Sequence, residues 1–442
     1  RVDYDYAGKY LFQFNWRYDG SENFPKGNRF GFFPGVSVGW RISEEKFWKD
    51  HIHWMDYLKL RASWGQMGND KVDAFQYMTA YTFSRPGIFG ANGGRINNGL
   101  WLKRTANPDI TWEVANTYNV GLEARFLNYF NFEGDFFVTK RSNILTTRNA
   151  AIPQYAGLTL PDENIGKCKN VGTELSLGYG RQISKDWSVN SSVNFSYSRG
   201  TIEFIDEPAT TFEWRKRTGK AIGTQGDMYL MYQADGIFRT QEELDAYPHL
   251  SQARVGDVKF KDINGDKKID GDDKVRQDKP AIPEIMYGIN LGASYKNLSL
   301  SMLWQGAAKV WQYTFMEAGI IGNFTQDYYD NRWTEQNVNA KYPRTYNRDY
   351  TVTGGGDYRN SFWLNDASYI RLKSIELSYD LPKSWFSSTP VHSVRVAFTG
   401  YNLLTFTGIK NIDPETHENG QGWAAWNTPQ SKVYSFAVNI TF

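Results

Sequence analysis

The sharpest cluster of potential metal ligands is Asp262-Ile-Asn264-Gly-Asp266-Lys-Lys268-Ile-Asp270-Gly-Asp272-Asp273. Side-chain oxygens at relative positions 1, 3 and 5, a backbone carbonyl at 7 and a carboxylate at 12 suit calcium, which takes six to eight hard oxygens. Those donors are Asp262, Asn264, Asp266, the carbonyl of Lys268, and Asp273. Asp270 stands at the water-mediated ninth position, and the apolar Ile269 stands at the eighth, as in EF-hand and dockerin-like loops. Two residues depart from that pattern: Lys267 replaces the usual sixth-position glycine, and Asp rather than Glu closes the loop. Lys267 must then enter left-handed backbone, or the loop must differ. The plainer alternative is a solvated Asn-Gly turn decorated with acids. A bound calcium here would be structural, pinning a long loop.

Ligand contact is the second chemistry on offer. Trp101, Trp112, Trp214, Trp311, Trp333, Trp363, Trp423 and Trp426 fall in long connections, with Asn331, Arg332, Asn360 and Asn427 among their neighbours. Flat rings beside polar groups can stack on sugars or peptide side chains, but most such rings anchor loops and hydrogen-bond their indole N–H. Trp333, Trp423 and Trp426 are the candidates for lining a binding cavity. Covalent catalysis has no visible basis: no serine lies in an elbow motif, and the histidines show no carboxylate partner in sequence. Cys168, the single cysteine, excludes an intramolecular disulfide framework and a thiolate zinc cluster.

The elements that must carry these residues alternate with period two. Trp187, Val189, Val193, Phe195 and Tyr197 share one face, and Ser188, Asn190, Ser192, Asn194 and Ser196 the other. Tyr434, Phe436, Val438, Ile440 and Phe442 repeat the pattern at the C-terminus. Aromatic residues close the apolar face at both ends, at Tyr10 and Tyr18, Tyr118 and Phe126, and Trp187 and Tyr197. Girdles at two bilayer interfaces would require this placement, whereas a soluble sandwich would not. About 13 strands are expected, near 2–6, 10–19, 29–42, 56–68, 113–126, 130–147, 171–183, 187–203, 285–295, 298–308, 369–381, 393–406 and 432–442. Connections alternate between short and long, the long ones being 20–28, 69–112, 148–170, 204–284, 309–368 and 407–431. Short turns at one rim and long loops at the other describe a membrane barrel, all-β and antiparallel. Charged residues on the wet face, Arg17, Arg61, Glu123, Arg125, Glu133, Asp135 and Glu174, are expected to meet solute or to pair across strands.

Composition agrees. Of 442 residues 72 are Phe, Tyr or Trp, yet apolar residues reach only 40%. No run of ~18 apolar residues exists to make a spanning helix. Lys+Arg 50 against Asp+Glu 48 gives no basic excess to draw the chain to nucleic acid. Starting at Arg1 in mid-pattern, the chain reads as the C-terminal part of something longer.

The run Asn360-Ser-Phe-Trp-Leu-Asn-Asp-Ala-Ser-Tyr-Ile-Arg-Leu-Lys-Ser-Ile-Glu-Leu-Ser-Tyr-Asp-Leu-Pro382 resembles the closing strands of SusC/RagA-type TonB-dependent outer-membrane transporters. So do Val394 to Phe406 and Asp413-Pro-Glu415. Tyr342-Pro343-Arg344, Asp19-Gly20-Ser21, Phe33-Pro34 and Trp40-Arg41-Ile42-Ser43 extend the resemblance over nearly the whole chain. It implies a 22-stranded barrel closed by an N-terminal plug, residues 1–442 being the C-terminal part of that barrel domain without plug, TonB box or first strands. It further implies location in the outer membrane of a Bacteroidota-type bacterium, contact with outer-membrane lipids, energisation by the TonB complex, and a SusD-like lipoprotein lid. Import of oligosaccharides or peptides by a dimer of transporter–lid pairs, without enzyme chemistry, follows from the same resemblance. Phe442, after Tyr434 and alternate apolar residues, resembles the C-terminal signal read in outer-membrane assembly. Rival readings are an outer-membrane barrel hydrolase, which needs a Ser/His/Asp set, and a soluble glycan-binding β-sandwich or propeller. A propeller would show a repeat of ~40–50 residues.

Overall fold

The computed structural model describes residues 1–89, 95–148, 160–208, 212–223, 229–316, 324–345, 356–410, 412–416 and 428–442. Its main feature is one antiparallel sheet of 13 strands, each hydrogen-bonded to the next in chain order. These are β1 (Val2–Tyr6), β2 (Tyr10–Gly20), β3 (Phe30–Arg41), β4 (Met55–Asn69), β5 (Glu113–Phe126), β6 (Phe130–Thr147) and β7 (Asp162–Gln182). The remaining six are β8 (Trp187–Phe204), β9 (Ile285–Tyr295), β10 (Leu298–Ala308), β11 (Tyr369–Asp380), β12 (Ser393–Thr407) and β13 (Val433–Thr441). Up-and-down order follows from the short turns, since a strand that reverses within two to four residues can pair only with its predecessor.

Register keeps the apolar positions of neighbouring strands on one face: Val120 opposes Ala62 and Phe136, and Val193 opposes Leu177 and Ile289. That face is largely uncovered, with Phe32 52%, Val120 57%, Phe136 53% and Phe436 79% exposed. A continuous apolar surface on this scale cannot face water. Aromatic pairs run along both margins: stacked Phe126–Phe130 at 5.1 Å and tilted Trp187–Tyr295 at 4.7 Å on one, stacked Tyr18–Phe30 at 5.3 Å on the other. Trp187 and Tyr197, ten residues apart on β8, span ~25 Å along the barrel axis once a strand rise of ~3.4 Å and a tilt of ~40° are allowed for. That is the height of a hydrocarbon band.

Twelve of the thirteen expected strands sit within a few residues of their observed bounds. The exception is β7, which begins at Asp162 rather than near 171. Its first half pairs with the end of β6 across register shifts between Arg141 and Leu145, beside Asn143 in left-handed backbone (φ 59). Above the apolar band both faces are wet, so Lys167-Cys168-Lys169-Asn170 has no alternation to betray a strand.

At the short-turn rim the β3–β4 connection carries the helix α1 (Lys46–His51) and is tied to the β1–β2 turn through Glu45. The Glu45 carboxylate accepts from Tyr10 Oη at 2.7 Å, Lys9 Nζ at 3.1 Å and Trp40 Nε1 at 3.2 Å. These contacts, the Tyr10 hydroxyl first, hold its pKa at about 2.

The long connections are not structureless. Residues 69–112 contain the hairpin Ala80–Phe89 with Arg95–Arg104. Within 204–284, Leu230–Tyr232 pairs with Lys274–Arg276, and Ala234–Ile237 with Val258–Phe260. Two cores of their own hold these loops: Tyr232, Val258, Phe260 and Ile269 in one, and Met231, Tyr313, Phe315, Tyr328, Tyr342 and Trp363 in the other. Loops of this length pay too much chain entropy to be positioned without such burial.

Candidate functional site: the polar wall and the long loops

The polar face is wired across strands. Arg61 on β4 lies 3.1 Å from the Glu123 carboxylate, 2.8 Å from Glu133 and 2.5 Å from Asp135, while Lys59 reaches Glu123 at 3.1 Å. Gly121 is the residue paired with both Arg61 and Asp135. A Cβ there would stand 2.7 Å from Arg61 Nε and from Asp135 Oδ1, so the ion pair crosses the wall only because this position is glycine. Arg17 pairs with Asp19 at 3.1 Å, and Arg125 lies over the Tyr57 ring at 5.7 Å. Cross-strand ion pairs therefore account for Arg61, Glu123, Glu133 and Asp135, while Arg17 pairs within its own strand and Arg125 meets a ring. Glu174 has neither an ion pair nor a ring contact among the described residues. It lines a cavity of about 520 Å³ together with Glu133, Asp135, Ser176, Asn194 and Ser196.

A buried network that sequence reasoning assigned no role centres on Arg371 of β11. Arg371 is 2% exposed and donates to Asp413 at 2.8 Å, Glu415 at 2.9 Å and Thr405 Oγ1 at 2.8 Å. Lys373 Nζ and the Tyr369 hydroxyl also reach Glu415, each at 2.7 Å. Asp413 accepts the backbone N–H groups of Glu415 and Gln430. Burial pushes the Asp413 pKa up, but these amides and the Arg371 guanidinium outweigh it and hold the carboxyl below its ordinary value. The loop after β12 is thus fastened to the wall at both of its ends. The available signal was two basic residues, Arg371 and Lys373, two apart on one strand, matched by the acidic Asp413-Pro-Glu415.

In the 262–273 loop, Lys267 does enter left-handed backbone (φ 65), two residues after Gly265 (φ 77). Asp262 accepts from the N–H groups of Gly265 and Lys267, Asn264 from Asp266, and Asp266 from Lys268. Ile269 is buried in the neighbouring core. Asp273 is wholly buried; its Oδ1 accepts from Ile263 N at 2.8 Å and its Oδ2 from Asp270 N at 2.9 Å, in a capping box with Asp270. The backbone thus follows the calcium-loop pattern, and both oxygens of the expected closing ligand, like both oxygens of Asp262, accept backbone N–H groups. No three His, Cys, Asp or Glu side chains converge on an ion position among the described residues.

The loop aromatics mostly anchor. Trp363 is 1% exposed, Tyr328 is fully buried, Trp112 Nε1 donates to the Arg29 carbonyl at 3.3 Å, and Trp214 Nε1 donates to the Asp272 carbonyl at 2.9 Å. Trp333 is half-buried, packed on Gly256 with the Arg344 guanidinium 5.7 Å from its ring. Trp423 and Trp426 lie outside the described residues. Phe442 follows β13 on the apolar face and is 75% exposed.

The model of the TonB-dependent receptor-like β-barrel matches residues 1–403. The chain belongs to that family. Strand β13, beyond the match, continues the same sheet without a break. A TonB-dependent receptor of Formosa agariphila is 29% identical over the whole chain, and the TonB-dependent receptor SusC of Bacteroides thetaiotaomicron is 27% identical. The solved structure of the RagAB peptide transporter is similar with a TM-score of 0.74 at 26% identity, again over the whole chain. The chain spans 45%, 43% and 47% of these proteins, a little under half of each. It is a SusC/RagA-like section of an outer-membrane TonB-dependent receptor barrel. The apolar face is the lipid face, the polar face lines the lumen, and the long loops stand outside the cell.

Proposed function

We propose that this section forms wall and extracellular loops of a TonB-dependent importer of oligosaccharides or peptides, working beneath a SusD-like surface lipoprotein in a dimer of transporter–lid pairs. The observation that carries it is the combination of a girdled lipid face with an ion-paired lumen wall and outer loops that own hydrophobic cores. Such loops can hold a defined shape against a lid and a solute. Chemistry is transfer without bond making. In the same reading Trp333, Trp423 and Trp426 face solute or lid, and Phe442 is read by the assembly machinery. Calcium, with a structural role in the outer loop, would take Asp262, Asn264, Asp266, the Lys268 carbonyl and Asp273.

The test is mass spectrometry of the full-length protein purified from outer membranes in mild detergent. Co-purification of a lipoprotein together with a glycan or a peptide is the expected result. Recovery from the soluble fraction would end the reading.

A further inference from the structure

A second lumen cavity, of about 520 Å³, lies at the outer end of β6 to β9 and differs in character from the acidic one beside Glu174. Its polar wall is Thr139, Arg141, Asn170 and Ser198 with the mutually ion-paired Arg199 and Glu284, and the half-buried thiol of Cys168 lies among them. Its other wall is aliphatic: Ile222, Ile282 and Met286. Met286 occupies a lumen-facing position, opposite Ser196 and Ala307, yet is 56% exposed; Ile282 beside it is 62% exposed. Aliphatic side chains left open on an otherwise wet wall mark a binding surface rather than a core.

The strap carrying Ile222 is fixed, because Ile222 N donates to the Gly200 carbonyl and Ile202 N to the Lys220 carbonyl. Hydrogen-bonding capacity opposite is chiefly donor capacity. The Asn170 Oδ1 accepts from Ser198 at 3.0 Å, which leaves its Nδ2 without a partner among the described residues. Arg141 spends one nitrogen on Glu113 at 2.9 Å and remains 48% exposed. Among the described residues that line this cavity none is aromatic.

A sugar ring needs a flat face to stack on, whereas a peptide offers carbonyl oxygens, a terminal carboxylate and branched side chains. We propose that this cavity is a solute subsite that takes short peptides with aliphatic side chains. Asn170 Nδ2 donates to a peptide carbonyl, Arg141 meets the terminal carboxylate, and Ile222, Ile282 and Met286 hold the side chain. The inference rests on the import reading above and narrows its substrate class.

Cys168 supplies the test. In the full-length protein in detergent, alkylation of Cys168 by N-ethylmaleimide is followed by peptide mapping, with two probes added in turn. One is a mixture of hexapeptides randomised over Ala, Leu, Ile and Ser; the other is maltohexaose. An occupant at four times its Kd slows alkylation about fivefold. The hexapeptides are expected to do so and maltohexaose to leave the rate unchanged. Met286→Gln and Ile282→Asn, neutral changes at exposed positions, are expected to keep the unliganded rate and lose the protection. Protection by maltohexaose alone would overturn the peptide assignment and leave import standing. Protection by neither, in a preparation that still co-purifies lid and solute, would overturn the subsite alone. Absence of lid and solute as well would take the import reading with it.

Discussion

Replacing Arg371 by Ala tests whether the loop after β12 is held by charge in a low-dielectric site. The guanidinium reaches two carboxylates and a threonine hydroxyl, and its side chain is 3% exposed against 5% for Asp413 and 12% for Glu415. Lys373 still neutralises Glu415 in the variant, so the uncompensated charge falls on Asp413. Breaking a buried pair from one side costs about 3–5 kcal/mol; with one of the two acids still paired, the lower end, about 3 kcal/mol, applies. The backbone N–H groups of Glu415 and Gln430 donate to Asp413 and report the loop's opening directly. Since 1.4 kcal/mol is tenfold, their hydrogen exchange should quicken about a hundredfold. The control is Arg395→Ala, whose ion pair with Asp380 is 3.5 Å long with side chains 45% and 54% exposed. An exposed pair of that kind contributes at most about 1 kcal/mol, so exchange at Gln430 should not move. If Arg371→Ala changes the exchange at Gln430 by less than threefold, the buried network does not hold the loop and the argument fails.

Gly121→Ala should destabilise the barrel by about 1–3 kcal/mol, as overpacking does, since the added carbon meets Arg61 and Asp135 at 2.7 Å; denaturant unfolding in micelles, with Gly65→Ala as the uncrowded control, reads this. Trp363→Ala, with Phe315, Tyr328 and Tyr342 packed on its ring, should cost the outer-loop core about 3–5 kcal/mol and expose 309–368 to protease while the strands stay protected. Glu45 is held at about 2, so its tie between the short turns is intact above the ordinary carboxylate value of about 4.5 and weakens as pH falls from there toward 2. Hydrogen exchange of the β1–β2 turn should therefore rise with acid in the native protein and show a flatter pH profile in Glu45→Gln. For calcium, the 262–273 loop should gain protection from exchange on Ca²⁺ addition and lose that gain in Asp262→Ala with Asp266→Ala, the same donors that accept from Gly265, Lys267 and Lys268; a response that survives the double substitution would place the ion elsewhere.

Sequence alone determined the strands, their polarity and the two faces, because a membrane band imposes period two on every strand that crosses it. The β8 alternation from Trp187 to Tyr197 and the short turns at 127–129, 183–186 and 296–297 leave little freedom in pairing or register. Where the bilayer stops, so does that constraint. The early start of β7, the two cores inside the outer loops and the seating of 412–416 on Arg371 involve residues that are far apart in sequence, as Met231 and Trp363 are in one core. No local period encodes them. The calcium-like loop shows the same divide: its left-handed Lys267 followed from the spacing of donors, whereas the burial of Ile269 against Tyr232, Val258 and Phe260 was set by packing formed at a distance. Charge on the lumen wall was legible residue by residue, but which charges cancel depended on register, and only the folded sheet set Arg61 among three carboxylates while leaving Glu174 open to the lumen.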